Sequence, residues 1–229
     1  MLLKDRVILI TNVEKFAGHG TTSVALGQGA TVLAHDPAFQ SSPARHKYEA
    51  QFPGAHALAA SDPVAMVEEA LKRHGRIDVL VNNAGVFRAG PFLEISEADF
   101  DAVLRVNLRG AFLVAQAVAR KMKTSGGGSI IHMSSVNAVV AIPEIATYNI
   151  SKGGLNQLTR AMALALADDQ IRVNAVAPGT IATELAQKAV LTNEAAQKKI
   201  MSRTPMKRLG EPSEVASVVA FLASDAASY

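Results

Sequence analysis

Apolar residues fall along this chain in two alternating kinds of stretch. Residues 6–10, 31–34, 78–81, 129–133 and 171–177 are short runs rich in Val and Ile and nearly continuous in apolarity. That is the pattern of strands buried on both faces of a parallel sheet. A third strand in chain order ends within HALAASDP at 56–63. Residues 18–26, 63–74, 97–123, 147–167 and 212–223 instead repeat their apolar positions at three and four spacing, which predicts amphipathic helices. Strand and helix alternating with short connections predict a single α/β domain over 1–229, a doubly wound parallel sheet of Rossmann type with strand order 3-2-1-4-5-6. The SGGGS cluster at 125–129 is a turn between a helix and a strand.

Such sheets bind ligands outside the carboxyl ends of their strands, and that is where the unusual residues lie. The first strand is followed by TNVEKFAG at 11–18, the second by Asp36, the fourth by NNAG at 82–85, the fifth by Ser134 and Ser135, and the sixth by Pro178 and Gly179.

Composition removes several function classes. At 229 residues, 49% hydrophobic, the chain can bury a sizeable core. The net charge of +3 is small and its Lys and Arg are dispersed, so no nucleic-acid partner is expected. With no cysteine there is neither a disulfide framework nor a thiolate metal site, and no metal is expected. The N-terminal apolar run is too short for a signal-peptide core, and no window reaches the length of a membrane span, so a cytoplasmic protein without a membrane partner is expected.

Ser135, Tyr148 and Lys152 carry the chemistry. Tyr148 and Lys152 stand four apart on a predicted helix, so their side chains share a face and the ammonium favours the phenolate. Ser135, at a strand end, is placed to hold a substrate oxygen beside that phenol, and a tyrosine tuned this way is a general acid/base. Taken alone, a Tyr and a Lys at this spacing are most often a solvated surface pair. Asp36 at the end of the second strand suits the ribose hydroxyls of NAD and repels the extra phosphate of NADP; its plainer reading is a turn aspartate before Pro37.

These features together resemble the short-chain dehydrogenase/reductase superfamily along essentially the whole sequence. The matching pieces are VILIT at 7–11, NNAG, Asn107 in VNLRG, Ser135 followed by YNISK at 148–152, VNAVAPGTIAT at 173–183 and RLGEPSEVA at 208–216. The resemblance implies that Tyr148 exchanges the proton, Ser135 orients the substrate, Lys152 holds the nicotinamide ribose and lowers the Tyr148 pKa, and Asn107 supports a relay water. It further implies that NNAG, with Asn83 and Gly85, lines the adenine side, and that Pro178, Gly179, Ile181 and Thr183 embrace the nicotinamide. A homotetramer or homodimer formed through helices 97–123 and 147–167 is expected on the same ground. Family members usually continue past the position of Tyr229 into a last strand, so that strand is expected to be missing here.

The phosphate loop departs from the family pattern. T-G-x-x-x-G-x-G becomes Thr11-Asn12-Val13-Glu14-Lys15-Phe16-Ala17-Gly18, with only the last glycine kept. An acidic residue capping the adenine amine after the third strand is also missing, Asp62 being better placed as a helix N-cap. The loop, together with HDPAF at 35–39, is similar to that of the halohydrin dehalogenases, in which an aromatic ring fills the nicotinamide space and no hydride moves. Those enzymes carry Arg where this chain has Lys152, and they lack NNAG and the Pro178–Thr183 pattern. The expected function is an oxidoreductase moving a hydride between NAD and a small alcohol or ketone, with Phe16 and Gly18 in a reshaped cofactor loop. A dehalogenase-like lyase and a cofactor-free relative are the alternatives. Substrate choice is expected to lie in 181–205 and 136–144.

Overall fold

The computed structural model describes residues 1–183, 186–187 and 193–229. Six parallel strands form one sheet in the order 3-2-1-4-5-6, as the apolar pattern predicts. They are β1 (Val7–Thr11), β2 (Thr31–His35), β3 (Ala55–Leu58), β4 (Val79–Asn82), β5 (Gly128–Met133) and β6 (Ile171–Val176). β1 is the switch point: Ile8 is opposite Val32 of β2 on one side and Val79 of β4 on the other. The crevice this reversal opens at the carboxyl ends therefore lies over β1 and β4.

Both faces of the sheet are dry, which is why its strands look continuously apolar in sequence. Ile8, Ile10, Val32, Ala34, Val81 and Ile131 point to one face, under helices α1 (Gly18–Gly27), α2 (Ser42–Gln51) and, further along the chain, Pro212–Ala223. Leu9, Leu33, Leu80 and Ile130 point to the other, under α3 (Pro63–His74), α5 (Ala111–Met122) and α6 (Ala146–Leu166), with α4 (Glu97–Leu104) packed on α6. Helix α7 (Glu194–Ser202) follows β6, and Pro212–Ala223 is α8.

Three features were not legible in the periodicity. The helix expected over 97–123 is interrupted by a π-helical turn, Arg105–Gly110, between α4 and α5. Helices α2 and α7 were not anticipated; α2 is the short polar SPARHKYEAQ, which buries little beyond Tyr48. Glu97–Met122 is also long and apolar enough to cross a membrane by length and composition, contrary to the expectation above. It is instead packed on the sheet through Val114, Ala115, Val118 and Met122. Asp62 caps α3 as expected, its Oδ1 accepting from the amides of Val64 and Ala65 at 3.0 and 3.1 Å.

Candidate active site

Tyr148 and Lys152 lie one turn apart on α6, and Ser135 follows β5 in extended backbone. The Ser135 hydroxyl accepts the Asn137 amide at 3.1 Å and lies close enough to the Tyr148 hydroxyl to favour its ionised form. Lys152 is only 3% exposed; its Nζ donates to the carbonyl of Met133 at 2.6 Å and sits 5.6 Å from the Tyr148 ring centre. Burial brings the Lys152 ammonium down to about 8. Tyr148 differs from expectation: burial raises its pKa, and the nearby Ser135 hydroxyl is what opposes that rise. The reason is geometric. Lys152 directs one N–H to Met133 O and makes no hydrogen bond to the phenol oxygen, which leaves burial to set the direction.

Asn107 sits in the π-helical turn and is fully buried. Its Nδ2 donates to Val86 O at 2.8 Å and to Ser151 Oγ at 2.9 Å, while its Oδ1 accepts the Val86 amide at 2.8 Å. Ser151 Oγ passes the chain on to Tyr148 O at 2.8 Å. The Asn107 amide group thus clamps the segment after β4 to the turn that presents Tyr148. Gly85 lies in that segment, where an added Cβ would stand 3.5 Å from Lys152 Nζ; its missing side chain leaves a slot against the ammonium. Phe87 places its ring edge-on to Tyr148 at 6.4 Å.

Across the switch point, the altered loop is tightly built. Thr11 Oγ1 accepts the Asn83 amide at 3.1 Å, and Asn83 Nδ2 donates to Asn12 O and Lys15 O at 2.8 and 3.0 Å. Val13 and Ala17 are completely buried. Asn12 and Phe16 take left-handed backbone at φ 50° and 55°, doing with L residues what glycine does elsewhere at a cost of about 1 kcal/mol each. The surviving Gly18 is required, because a Cβ there would lie 2.1 Å from Val13 O. Helix α1 begins at this point with no side-chain cap and no acidic residue in its first turn, which leaves its positive end open to an anion.

Asp36 is 6% exposed and already engaged. Its Oδ2 accepts the Glu14 amide at 3.1 Å and its Oδ1 the Ala38 amide at 3.0 Å, so it braces the loop as well as standing at the rim. Pro178 accepts the Val136 amide at 3.1 Å, which ties the rims of β5 and β6 together. Gly179 stands in open space. The Ile181 side chain turns into the core under α1 and α8, and its backbone bridges to Gly210. Thr183 Oγ1 accepts the Ala186 amide at 3.2 Å. Of the segment expected to select substrate, residues 184–185 and 188–192 lie outside the described residues.

Two groups escaped sequence reasoning. His132 on β5 is fully buried, shares a 3.2 Å contact with the Asn82 amide, and is brought down to about 4 by burial and by Lys152. Glu69 of α3 reaches back to the amides of Ala59 and Ala60 at the end of β3. Nothing in HALAASDP signals a carboxylate that comes from the following helix.

The donor set fits a nicotinamide dinucleotide. An uncapped helix start suits a pyrophosphate, the Gly85 slot beside a buried ammonium suits a ribose, and Asn83, which follows β4 at the rim, keeps an unpartnered, buried Oδ1. Fold and site together define an oxidoreductase of the dinucleotide-binding α/β class. A family model described as enoyl-(acyl carrier protein) reductase matches residues 17–229. The 3-oxoacyl-[acyl-carrier-protein] reductase FabG of Thermotoga maritima is 40% identical over 235 residues, covering 100% of this chain and 94% of the relative. The L-rhamnose 1-dehydrogenase (NAD(P)(+)) of Azotobacter vinelandii is 35% identical over 240 residues, covering 100% and 93%. A solved structure titled "Dehalogenation enzyme" superposes with a TM-score of 0.94 at 46% identity, covering 100% of this chain and 95% of that one. The chain belongs to the short-chain dehydrogenase/reductase superfamily and is an NAD(P)-dependent enzyme of that type.

Proposed function

We propose that this protein reduces a small ketone, or oxidises the matching alcohol, with NAD(H), using Tyr148 as the general acid/base. The observation that carries this reading is the buried Lys152 ammonium 5.6 Å from the Tyr148 ring centre, with Ser135 near the phenol. A bound nicotinamide would supply or accept the hydride. Lys152 and the Gly85 slot would hold its ribose, the peptide at Pro178–Gly179 and Thr183 would face its ring, and the start of α1 would meet the phosphates.

Because burial keeps Tyr148 above its usual pKa, the hydroxyl is protonated at neutral pH and rests as an acid. It gives its proton to the substrate carbonyl oxygen, which Ser135 orients. That favours carbonyl reduction near neutrality and alcohol oxidation at higher pH. Phe87, edge-on to Tyr148, and Val136, next to Ser135, are exposed apolar residues beside the site, and they favour a substrate with an apolar group next to its carbonyl. Asp36, held ready between two amides, favours NAD over NADP. Assembly into a homodimer or homotetramer through Glu97–Met122 and α6 is part of the proposal; sedimentation at micromolar concentration should give a multimer, and a monomer alone would remove that part.

The test is Tyr148→Phe. Turnover should fall by about a hundred-fold or more while NADH binding stays nearly intact. Activity within a factor of a few of the native enzyme would overturn the assignment.

A second reading, a dehalogenase-like lyase, is favoured by Phe16 in the loop and by the likeness to the dehalogenation enzyme. It needs Tyr148 as a base at neutral pH, the protonation state that burial disfavours. Halide release from a vicinal halohydrin without added NAD(H) would establish it.

A further inference from the structure

Asn149 follows Tyr148 on α6, and its Nδ2 donates to the carbonyl of Ile142 at 2.8 Å. Its Oδ1 is buried and has no partner among the described residues. An amide left half satisfied contributes little to global stability. What it does contribute is local, through Ile142.

Ile142 lies toward the far end of a loop that begins at Ser135. Val136 adjoins Ser135, and its amide donates to Pro178 O at 3.1 Å. Val136–Ala138 make one 3₁₀ turn against α6, with Ala138 O 3.7 Å from where a Cβ on Gly153 would stand. Val139 and Val140 then stand in solvent at 82% and 65% exposure, so apolar burial does not hold this part of the loop. Its far end is held by polar anchors. Asn149 grips Ile142 O, and the Gly90 amide donates to Glu144 O at 2.9 Å. The Glu144 carboxylate accepts Lys199 of α7 at 2.8 Å, an exposed pair of little energetic weight. Of these three anchors only Asn149 belongs to the helix that carries Tyr148 and Lys152. Ser135 and Tyr148 are themselves fixed by other bonds. Ser134 donates its hydroxyl to Asn156 Oδ1 at 2.6 Å and its amide to Val176 O at 2.7 Å, and Tyr148 O accepts Ser151 Oγ at 2.8 Å. Loss of the Asn149 bond therefore frees the loop and leaves the reacting groups in place.

We propose that Asn149 is a positioning residue for substrate selection: it ties the loop 136–145 to the Tyr148 helix, so that the apolar wall starting at Val136 keeps its place beside the reacting carbonyl. The selection role rests on the oxidoreductase reading above; the tie does not. The class it favours is a ketone whose aryl or branched alkyl group reaches that wall, over a methyl ketone too small to touch it.

The experiment uses Asn149→Leu, which keeps the side-chain volume and removes the donor and the unpartnered acceptor together. Its melting temperature should stay within about 2 °C of native, since the lost bond is offset by the unsatisfied group removed with it. Hydrogen exchange of the ligand-free protein, read by mass spectrometry, should rise by roughly three- to ten-fold, the scale of one hydrogen bond, in peptides covering 136–145 and Gly90. Peptides of β5 and of 151–160 should not change. In steady-state reduction with NADH, kcat/KM for acetophenone should fall by roughly ten-fold, mostly through KM, while that for acetone changes by less than about two-fold. A merely structural role would lower both alike. Asn149→Ser, too short for the same bond, serves if leucine perturbs folding. Unchanged exchange in 136–145 would overturn the tie. Equal losses for the two ketones, a native preference for acetone, or native turnover of neither ketone would overturn the selection role. Native protein that binds no NADH would overturn the oxidoreductase reading together with the selection role, and the exchange pattern would still decide the tie.

Discussion

Replacing Phe16 by glycine asks whether the altered loop is an obstruction or a working part. Phe16 is 37% exposed and holds φ 55°. Glycine there removes about 1 kcal/mol of left-handed strain. It also removes a ring of about 200 Å², of which the buried 63% left by its exposure is about 125 Å². At about 25 cal/mol per Å² that burial is worth about 3 kcal/mol, an upper figure. The added freedom of glycine costs about 0.5–1 kcal/mol more. The ring therefore outweighs the strain, and Phe16→Gly should destabilise by about 2–3 kcal/mol. For a domain of this size that is a fall of about 5–10 °C in Tm, read by differential scanning calorimetry. NADH binding should weaken too, because a looser loop must be ordered again when the pyrophosphate meets the start of α1. A variant as stable as native with tighter NADH binding would refute the packing reasoning and mark Phe16 as a block in the cofactor path, the arrangement expected of a dehalogenase-like enzyme.

Gly18→Ala forces a Cβ to within 2.1 Å of Val13 O; it should cost about 2–4 kcal/mol and abolish NADH binding, and a Tm within a degree of native would contradict the loop geometry. Lys152 has a pKa of about 8 in the fold against 10.5 as a free side chain, so the unfolded chain binds the extra proton between those values and stability should rise from about pH 8 to pH 10.5. Lys152→Met should abolish that rise and, after the loss of the bond to Met133, stabilise the protein at pH 7 by about 2 kcal/mol while removing activity. Urea titrations of both forms across this range check it, and an equal rise in the variant would place the depressed group elsewhere.

The sequence by itself determined the sheet, its strand order and the positions of its rims, because strands buried on both faces must be apolar throughout and a β-helix-β chain can be wound in few ways. It also marked Ser135, Tyr148, Lys152 and Gly18, whose chemistry depends on spacing along one element or on a single permitted residue type. What tertiary structure decided depends on neighbours that arrive from elsewhere in the chain. The direction of the Tyr148 pKa shift is set by burial, opposed by Ser135, and not by the four-residue spacing. The two amide partners of Asp36, the π-helical turn that aims Asn107 at Val86, and the reach of Glu69 back to β3 all join residues remote in sequence. The shape of the loop is set the same way: Phe16 and Asn12 hold left-handed backbone while Asn83, Asp36 and the buried Val13 and Ala17 brace the segment.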